Sequence, residues 1–237
     1  MNELIFIALI VMVLLVLKFI FKISIKEIKK LGNNEELDEL TAKLPDNITI
    51  CEEILKIINN ETVKIKESEN EKSDTSLYIA ITDTIIIAKI KESYTRVQTI
   101  AHECIHSIQD RALLLANFVI SNIYLLYFIS IIPLTIFGII KNTNMQIFIL
   151  LFIGFNHFAI RNILEIDAMI RAKYLAKQYL LNTEMYSANE INKIEIAYDN
   201  LNEKGIKTTE YFLMCNAMAK VVVYALMVVV LNILLLS

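Results

Sequence analysis

Apolar residues gather in four blocks along the chain, and the segments between the blocks have the mixed polarity of water-soluble proteins. The blocks cover residues 4–21, 112–140, 145–160 and 221–236. A helix needs about 20 predominantly apolar residues to cross a bilayer. The pattern therefore predicts a mainly α-helical, polytopic membrane protein with about four transmembrane helices. The third block is the shortest, so a buried helix in a soluble fold stays open as an alternative for it.

The distribution of Lys and Arg predicts the orientation of these helices. Residues 22–111 contain 13 Lys and Arg and residues 161–220 contain 8, whereas Lys141 alone lies between the second and third blocks. Positive residues are enriched on the cytosolic side of a membrane, so we expect both long polar segments in the cytosol. The predicted segments are an N-terminal transmembrane anchor (1–21), a cytosolic α/β unit (22–111), a transmembrane hairpin (112–160), a cytosolic helical segment (161–220) and a C-terminal transmembrane helix (221–237).

The first cytosolic segment has the local patterns of a small α/β unit. Thr49 and Glu52 have the spacing of a capping box and predict a helix that ends near Asn59. Thr95 and Gln98 have the same spacing and predict the start of a second helix. Between the two helices, alternating or β-branched residues predict three strands, over 62–66, 77–81 and 84–90. We expect the last of these strands to be an edge with which an extended peptide could pair.

Composition narrows the class of function. Of the 237 residues 56% are apolar, and 23 Lys and Arg against 26 Asp and Glu give a net charge of −3. That balance offers no basic surface, which argues against a nucleic-acid partner. The three cysteines are odd in number and too widely spaced for a CxxC zinc site, so we predict reduced thiols at Cys51, Cys104 and Cys215.

The second predicted helix contains His102-Glu103-Cys104-Ile105-His106, an HExxH sequence. Imidazoles four residues apart project from one face of a helix and can bind a single Zn²⁺ ion. Glu103 is not placed to be a ligand, but its carboxylate can hold a metal-bound water and remove its proton. Such a water is a nucleophile for a peptide carbonyl at neutral pH. We therefore predict His102 and His106 as metal ligands and Glu103 as the catalytic base.

A catalytic zinc site usually has three protein ligands, so a third must come from elsewhere in the chain. Glu165 is the predicted third ligand, because it follows the third apolar block on the side from which the HExxH helix enters the second block. His157 is the competing candidate. In two straight helices joined at residues 141–144, His106 and Glu165 would lie about 20 Å apart along the axis. We expect a break at Pro133 to remove that difference.

Other polar residues near these positions have more than one interpretation. Asp167 and Arg171 are four residues apart and can pair, or they can orient a ligand and bind a substrate carboxylate. Asp110 can steady His106 or begin the next helix. The group that stabilises an oxyanion is open among Arg171, Tyr94 and Tyr174.

These residues resemble the neutral zinc metallopeptidases of bacterial membranes known as the YugP-like proteins. The resemblance rests on the run from Ala101 to Asp110, the stretch from Leu164 to Ala172, the N-terminal anchor, the apolar hairpin and the apolar C-terminal segment. The position before the second histidine, usually Gly in that family, is Ile105 here. The resemblance implies zinc on His102, His106 and Glu165, Glu103 as base, and a zincin-like unit in a bacterial membrane.

The sequence thus predicts an integral membrane zinc metallopeptidase of the plasma membrane, with one Zn²⁺ ion at the cytosolic face. Its expected partners are the lipid bilayer and a peptide or membrane-protein substrate. The alternative is a catalytically inactive metal-binding scaffold or adaptor. A closed site with four protein ligands is typical of a structural metal, and an open fourth position is typical of an enzyme.

Overall fold

The computed structural model describes residues 2–68, 76–89 and 93–236, and in this part the chain is mainly helical with one small sheet. The strands are β1 (Lys64–Glu67), β2 (Leu77–Ile79) and β3 (Thr84–Ile87). The helices are α1 (Asn2–Ile20), α2 (Ile25–Gly32), α3 (Glu35–Thr41), α4 (Asn47–Ile57), α5 (Arg96–His106), α6 (Arg111–Ile136), α7 (Thr143–Asn182) and α8 (Ala188–Leu236).

Four of these helices, α1, α6, α7 and α8, are long and apolar enough to cross a membrane. The number of membrane-length apolar helices predicted from the sequence is therefore confirmed. The helices α7 and α8 contain 40 and 49 residues, so each continues without a break from an apolar block into a polar segment. The apolar blocks predicted the apolar parts of α7 and α8, but both helices extend far beyond those blocks because many polar residues are good helix formers too.

The chain forms two compact units. The first comprises residues 1–23, 116–163 and 207–237, and the second comprises residues 24–115 and 164–206. The first unit has a core in which the Tyr124 hydroxyl donates to the Ala217 carbonyl and the Tyr224 hydroxyl contacts Thr135 Oγ1 at 2.8 Å. Many large apolar side chains of this unit point outward, among them Phe19 at 84% exposure. An exposed apolar surface of this kind is typical of contact with lipid.

The sheet belongs to the second unit and has the strand order β1-β3-β2. Strand β1 pairs parallel to β3, and β2 pairs antiparallel to β3. The three predicted strands are present, but β1 begins two residues later and ends one residue later than predicted, and β2 and β3 end earlier; residue 90 lies outside the described residues. The expectation that residues 84–90 form an edge is wrong, because β3 has a partner on both sides. The near-continuous apolar run Ile85–Ile87 fits this central position, since both faces of a central strand can be buried.

The predicted capping box of Thr49 and Glu52 does not form the start of α4. The N-cap of α4 is Asp46, three residues before the predicted N-cap Thr49. The Asp46 carboxylate accepts hydrogen bonds from the backbone N–H groups of Ile48 and Thr49 at 3.1 and 3.0 Å. A carboxylate at the N-cap satisfies two backbone donors at once and interacts favourably with the helix dipole. The predicted end is confirmed, since Asn59 follows α4 with φ of 54°.

The capping box at Thr95 and Gln98 does not form either. Thr95 is the N-cap of α5 but makes no side-chain cap hydrogen bond. Gln98 instead donates from Nε2 to Asn202 Oδ1 at 2.8 Å, so a contact between α5 and α8 replaces the local one. A sequence pattern within one turn cannot reveal a partner that lies 104 residues away.

Arg96 fixes the start of α5 instead of a capping box. Its buried guanidinium donates to the carbonyl oxygens of Thr41, Leu44 and Pro45 and to Asn47 Oδ1, at 2.9 to 3.2 Å. These four acceptors belong to the segment from the end of α3 to the start of α4. Burial lowers the pKa of Arg96, but a guanidinium stays charged throughout the physiological range. Arg96 therefore anchors the first residue of the HExxH helix to the rest of the second unit.

Candidate metal centre

The HExxH helix α5 is held in place by an apolar face that is completely buried. Val97, Ile100, Ala101 and Cys104 are each at most 1% exposed and belong to the core of the second unit. Their spacing of three and four residues is that of one face of a helix. His102 and His106 lie beside this face and four residues apart, so the packing of α5 aims both imidazoles at one point.

The two imidazoles and the Glu165 carboxylate converge within the second unit. His106 Nε2 lies 3.1 Å from His102 Nε2, Glu165 Oε2 lies 3.3 Å from His102 Nε2, and Glu165 Oε1 lies 3.8 Å from His106 Nε2. One ligand atom from each residue lies within 4.8 Å of the others, so this group could hold a metal ion. The prediction that His102, His106 and Glu165 meet is confirmed.

The donor atoms fit a small divalent ion with tetrahedral coordination. Ligand atoms at 2.0–2.1 Å from a tetrahedral Zn²⁺ ion are separated from one another by about 3.3 Å. The distances of 3.1, 3.3 and 3.8 Å fall on both sides of that value. Two imidazole nitrogens and one carboxylate are also a ligand set found in catalytic zinc sites.

Breaks in the helices explain how Glu165 reaches the two histidines. The helix α5 ends at His106 and α6 begins only at Arg111, while α6 ends at Ile136 and α7 begins at Thr143. Residues outside the helices do not add a regular rise, so only α6 and the part of α7 before Glu165 count. The rise of α6 is about 38 Å and that of α7 as far as Glu165 is about 33 Å. The axial offset between the HExxH helix and Glu165 therefore falls from the expected value of about 20 Å to about 5 Å. Pro133 itself does not break α6, contrary to the prediction, because the helix continues for three residues past it.

The carboxylate of Glu165 also changes the properties of His106. Burial by itself lowers the pKa of this imidazole, whereas the hydrogen bond and negative charge of Glu165 raise it. Gln109 and Glu103 act in the same direction, and the net result is a raised pKa for His106. The negative charge of Glu165 therefore favours positive charge at His106.

Glu103 lies beside the ligand group without belonging to it. Its side chain is buried, and one carboxylate oxygen accepts a hydrogen bond of 2.7 Å from the backbone N–H of Tyr78 in β2. Burial raises the pKa of Glu103, although the neighbouring histidines and the Tyr78 N–H lower it in part. A carboxylate with a raised pKa takes up a proton more readily, as a general base requires.

Gln109 connects His106 on α5 with the part of α7 that contains Glu165. Its Oε1 lies 2.7 Å from His106 Nδ1, and its Nε2 donates to the Leu164 carbonyl and to Asp167 Oδ2, each at 2.8 Å. The sequence placed Gln109 one turn beyond His106 but gave no sign of its contacts with α7. Two signals were available in the sequence: its spacing of three residues from a predicted ligand, and its place in the run from Ala101 to Asp110 that carries the family resemblance.

Several other candidates have different positions. His157 belongs to the first unit, where its ring lies 6.0 Å from that of Tyr124, and it is not a member of the ligand group. Asp110 accepts from the backbone N–H of Leu113 and so caps the start of α6. The Tyr94 hydroxyl donates to the Leu31 carbonyl, which removes it as an oxyanion ligand. Arg171 pairs with Asp167 at 3.3 Å.

The cysteine in the HExxH sequence packs against a second thiol. Cys104 Sγ lies 3.7 Å from Cys51 Sγ, and both side chains are fully buried. All three cysteines are free, as predicted. The hydrogen bond with Cys51 and burial raise the pKa of the Cys104 thiol, so it stays protonated and is not a metal ligand.

Comparison with known proteins adds no further identification: no family model, no curated protein and no solved structure matches the chain. The resemblance to the neutral zinc metallopeptidases therefore stays a prediction from the motifs.

Proposed function

We propose that this protein is an integral membrane zinc metallopeptidase that hydrolyses peptide bonds. One observation carries the proposal: His102, His106 and Glu165 converge with separations of 3.1 to 3.8 Å, and the buried Glu103 carboxylate interacts electrostatically with all three. Ligands, base and spacing together are those of metal-assisted hydrolysis.

The number of ligands favours an enzyme over a structural site. Among the described residues, no fourth His, Cys, Asp or Glu atom joins the group of three. Structural zinc sites are usually closed by four protein ligands, whereas catalytic sites leave one position for water or substrate. The alternative of an inactive scaffold would require a fourth side chain at this position.

The residues divide the chemistry between them. His102, His106 and Glu165 would hold the zinc ion, which when bound polarises a carbonyl and lowers the pKa of water. Glu103 accepts a proton from the attacking water and later donates it to the leaving amine.

The position of β2 supports a peptide as the substrate class. Strand β2 is paired with β3 on one side, and the Tyr78 N–H on its other side points to Glu103. An extended chain laid along this outer side would pass the catalytic base, as in recognition by strand addition. The role first expected for residues 84–90 thus belongs to β2.

The apolar helices and the charge distribution support a place in the plasma membrane with the centre on the cytosolic side. Four helices are long and apolar enough to span a bilayer, and 21 of the 23 Lys and Arg lie in residues 22–111 and 161–220. Single cysteines introduced at exposed Glu61 and at Lys141 into a variant lacking the native thiols test the orientation. In intact cells an impermeant maleimide should label the cysteine at position 141 only.

The decisive experiment measures zinc content and peptide hydrolysis with the same purified protein. Native protein in detergent should bind about one zinc ion and cleave a quenched-fluorescence peptide library. Glu103→Gln should retain the zinc and lose about 10²- to 10⁴-fold in turnover, since it removes proton transfer. The matched control is Glu61→Gln at an exposed position. Full activity in Glu103→Gln, or no zinc binding by the native protein, would refute the proposal.

A further inference from the structure

The amide of Gln109 contacts two elements of the candidate centre at once. It lies in the turn between α5 and α6, with Oε1 at 2.7 Å from His106 Nδ1 and Nε2 at 2.8 Å from both the Leu164 carbonyl and Asp167 Oδ2. We propose that Gln109 is the positioning residue of the metal centre, which sets the tautomer of His106 and fixes the α7 segment that carries Glu165. This inference rests on the zinc centre of the proposed function.

The hydrogen-bond partners determine which way the amide faces. Both partners of the Nε2 end, a carbonyl and a carboxylate oxygen, are acceptors, and only the NH₂ group of the amide can donate to both. The carbonyl oxygen of the amide must then face His106. Because that oxygen only accepts, His106 carries its proton on Nδ1.

This tautomer leaves the other ring nitrogen of His106 free to bind a metal. With the proton on Nδ1, the lone pair of Nε2 points to where His102 Nε2 and Glu165 lie, at 3.1 and 3.8 Å. A metal-binding histidine commonly donates its second N–H to an oxygen that fixes its orientation. Gln109 supplies that oxygen here.

The other end of Gln109 acts on Glu165 through the backbone. Leu164 directly precedes Glu165, so the hydrogen bond from Gln109 to the Leu164 carbonyl fixes the backbone of α7 at the residue next to the third ligand. The bond to Asp167 holds the same turn of α7 from its other side, and Asp167 is itself held by Arg171. The pair Asp167 and Arg171, ambiguous in the sequence, thus supports Gln109.

No other common side chain meets both requirements at this position. A glutamate could accept from His106 but could not donate to Leu164, and its charge would lie close to that of Asp167. A methionine has nearly the same length but neither donor nor acceptor of useful strength. Both replacements therefore remove the connection while keeping the approximate volume.

Zinc affinity, measured by competition with a chelator, tests the inference independently of hydrolysis. Gln109→Met and Gln109→Glu should each weaken zinc binding by about 10- to 100-fold, the usual effect of losing such an outer contact. The double variant Gln109→Glu with Asp167→Asn should recover about tenfold relative to Gln109→Glu, because the new amide can donate to the new carboxylate. Gln178→Met, at an exposed position of α7, is the matched control and should bind like the native protein.

A spectroscopic readout separates positioning from general loss of structure. Co²⁺ bound to the native protein should show the ligand-field absorption of a low-coordinate site with two imidazoles and one carboxylate. The Gln109→Glu variant should give a different spectrum. The double variant should give a spectrum like that of the native protein. Unchanged zinc affinity in a folded Gln109→Met protein would overturn the inference, as would the absence of recovery in the double variant. Should Gln109→Met fail to fold, Gln109→Glu and the double variant decide the question.

The two proposals fail in different ways. A native protein that binds zinc but cleaves no peptide removes the peptidase and leaves the role of Gln109 standing. A native protein that cleaves peptides while Gln109→Met retains full zinc affinity removes only the role of Gln109. A native protein that binds no zinc overturns both.

Discussion

The carboxylate of Glu103 accepts a hydrogen bond of 2.7 Å from the backbone N–H of Tyr78. Strand β2 is thereby joined to the HExxH helix through the side chain proposed as the catalytic base. The bond comes from the backbone, so it does not depend on which side chain occupies position 78. It also holds the Glu103 carboxylate in one direction while burial raises its pKa, so the buried carboxylate costs the folded protein stability at neutral pH.

Replacing Glu103 should therefore stabilise the metal-free protein in a pH-dependent way. Because the pKa of Glu103 is raised on folding, the unfolded state ionises first, and stability falls as the pH rises through the ordinary value of 4.5 towards the raised one. In Glu103→Gln this loss is absent. We expect the variant to have a higher free energy of unfolding than the native protein at pH 7 and nearly the same value at pH 4.

Unfolding in detergent at the two pH values measures this difference. Glu61→Gln, at an exposed position, controls for the loss of one carboxylate from the chain. A Glu103→Gln protein that is less stable than the native protein at pH 7 would contradict the assigned direction of the pKa shift.

Zinc should stabilise the folded protein, and Glu165 should be needed for this effect. A ligand that binds only the folded state at about 100 times its Kd adds about 2.7 kcal/mol to the free energy of unfolding. Glu165→Gln should lose most of the zinc-induced rise in Tm, since the carboxylate is one of only three ligands in the group. Glu184→Gln, an exposed residue after α7, should keep the full rise.

Magnesium provides the counterpart to this measurement. Mg²⁺ prefers oxygen ligands and octahedral geometry, so a centre with two imidazoles should give no shift in Tm at the same concentration. Equal shifts with Mg²⁺ and Zn²⁺ would mean that the ions act elsewhere on the protein.

Arg96→Lys should destabilise the second unit by roughly 3 kcal/mol, because an ammonium group cannot reach the four acceptors that the guanidinium contacts and leaves buried carbonyls without a donor. Arg111→Lys is the matched control, since Arg111 is also the first residue of a helix but is exposed. Hydrogen exchange of α5 amides, read alongside thermal unfolding, would reveal the loosened helix start. Equal stability of the two variants would show that Arg96 is not an anchor.

Gly154→Ala should destabilise the first unit by about 1–3 kcal/mol through overpacking. A Cβ at position 154 would lie 2.8 Å from the Tyr124 hydroxyl, and that buried side chain is held by its bond to the Ala217 carbonyl. Gly32→Ala serves as control because no atom lies within 4 Å of its Cβ position. Thermal unfolding in detergent compares the two, and an unchanged Tm for Gly154→Ala would show that α6 and α7 can separate without cost.

Local patterns in the sequence predicted some elements better than others. The three strands and the end of α4 were predicted correctly because each depends on the preferences of single residues. β-Branched residues favour strands, and Asn59 tolerates the left-handed conformation that ends α4. The two capping boxes do not form, because Asp46 is the N-cap of α4 and Asn202 is the partner of Gln98, although the second helix does begin at Thr95 as predicted. Competition between local and distant partners cannot be read from spacing alone.

The sequence by itself determined the four apolar helices and the placement of His102 and His106 on one face of a helix, since the length of an apolar run and the i, i+4 spacing are properties of short segments. Only the tertiary structure decided that Glu165 completes the group, that β3 is central, and that Gln109 connects His106 to α7. Each of these depends on where the chain breaks between helices and which distant segments pack together. Such contacts arise from the folding of the whole second unit, and no short stretch of sequence contains them.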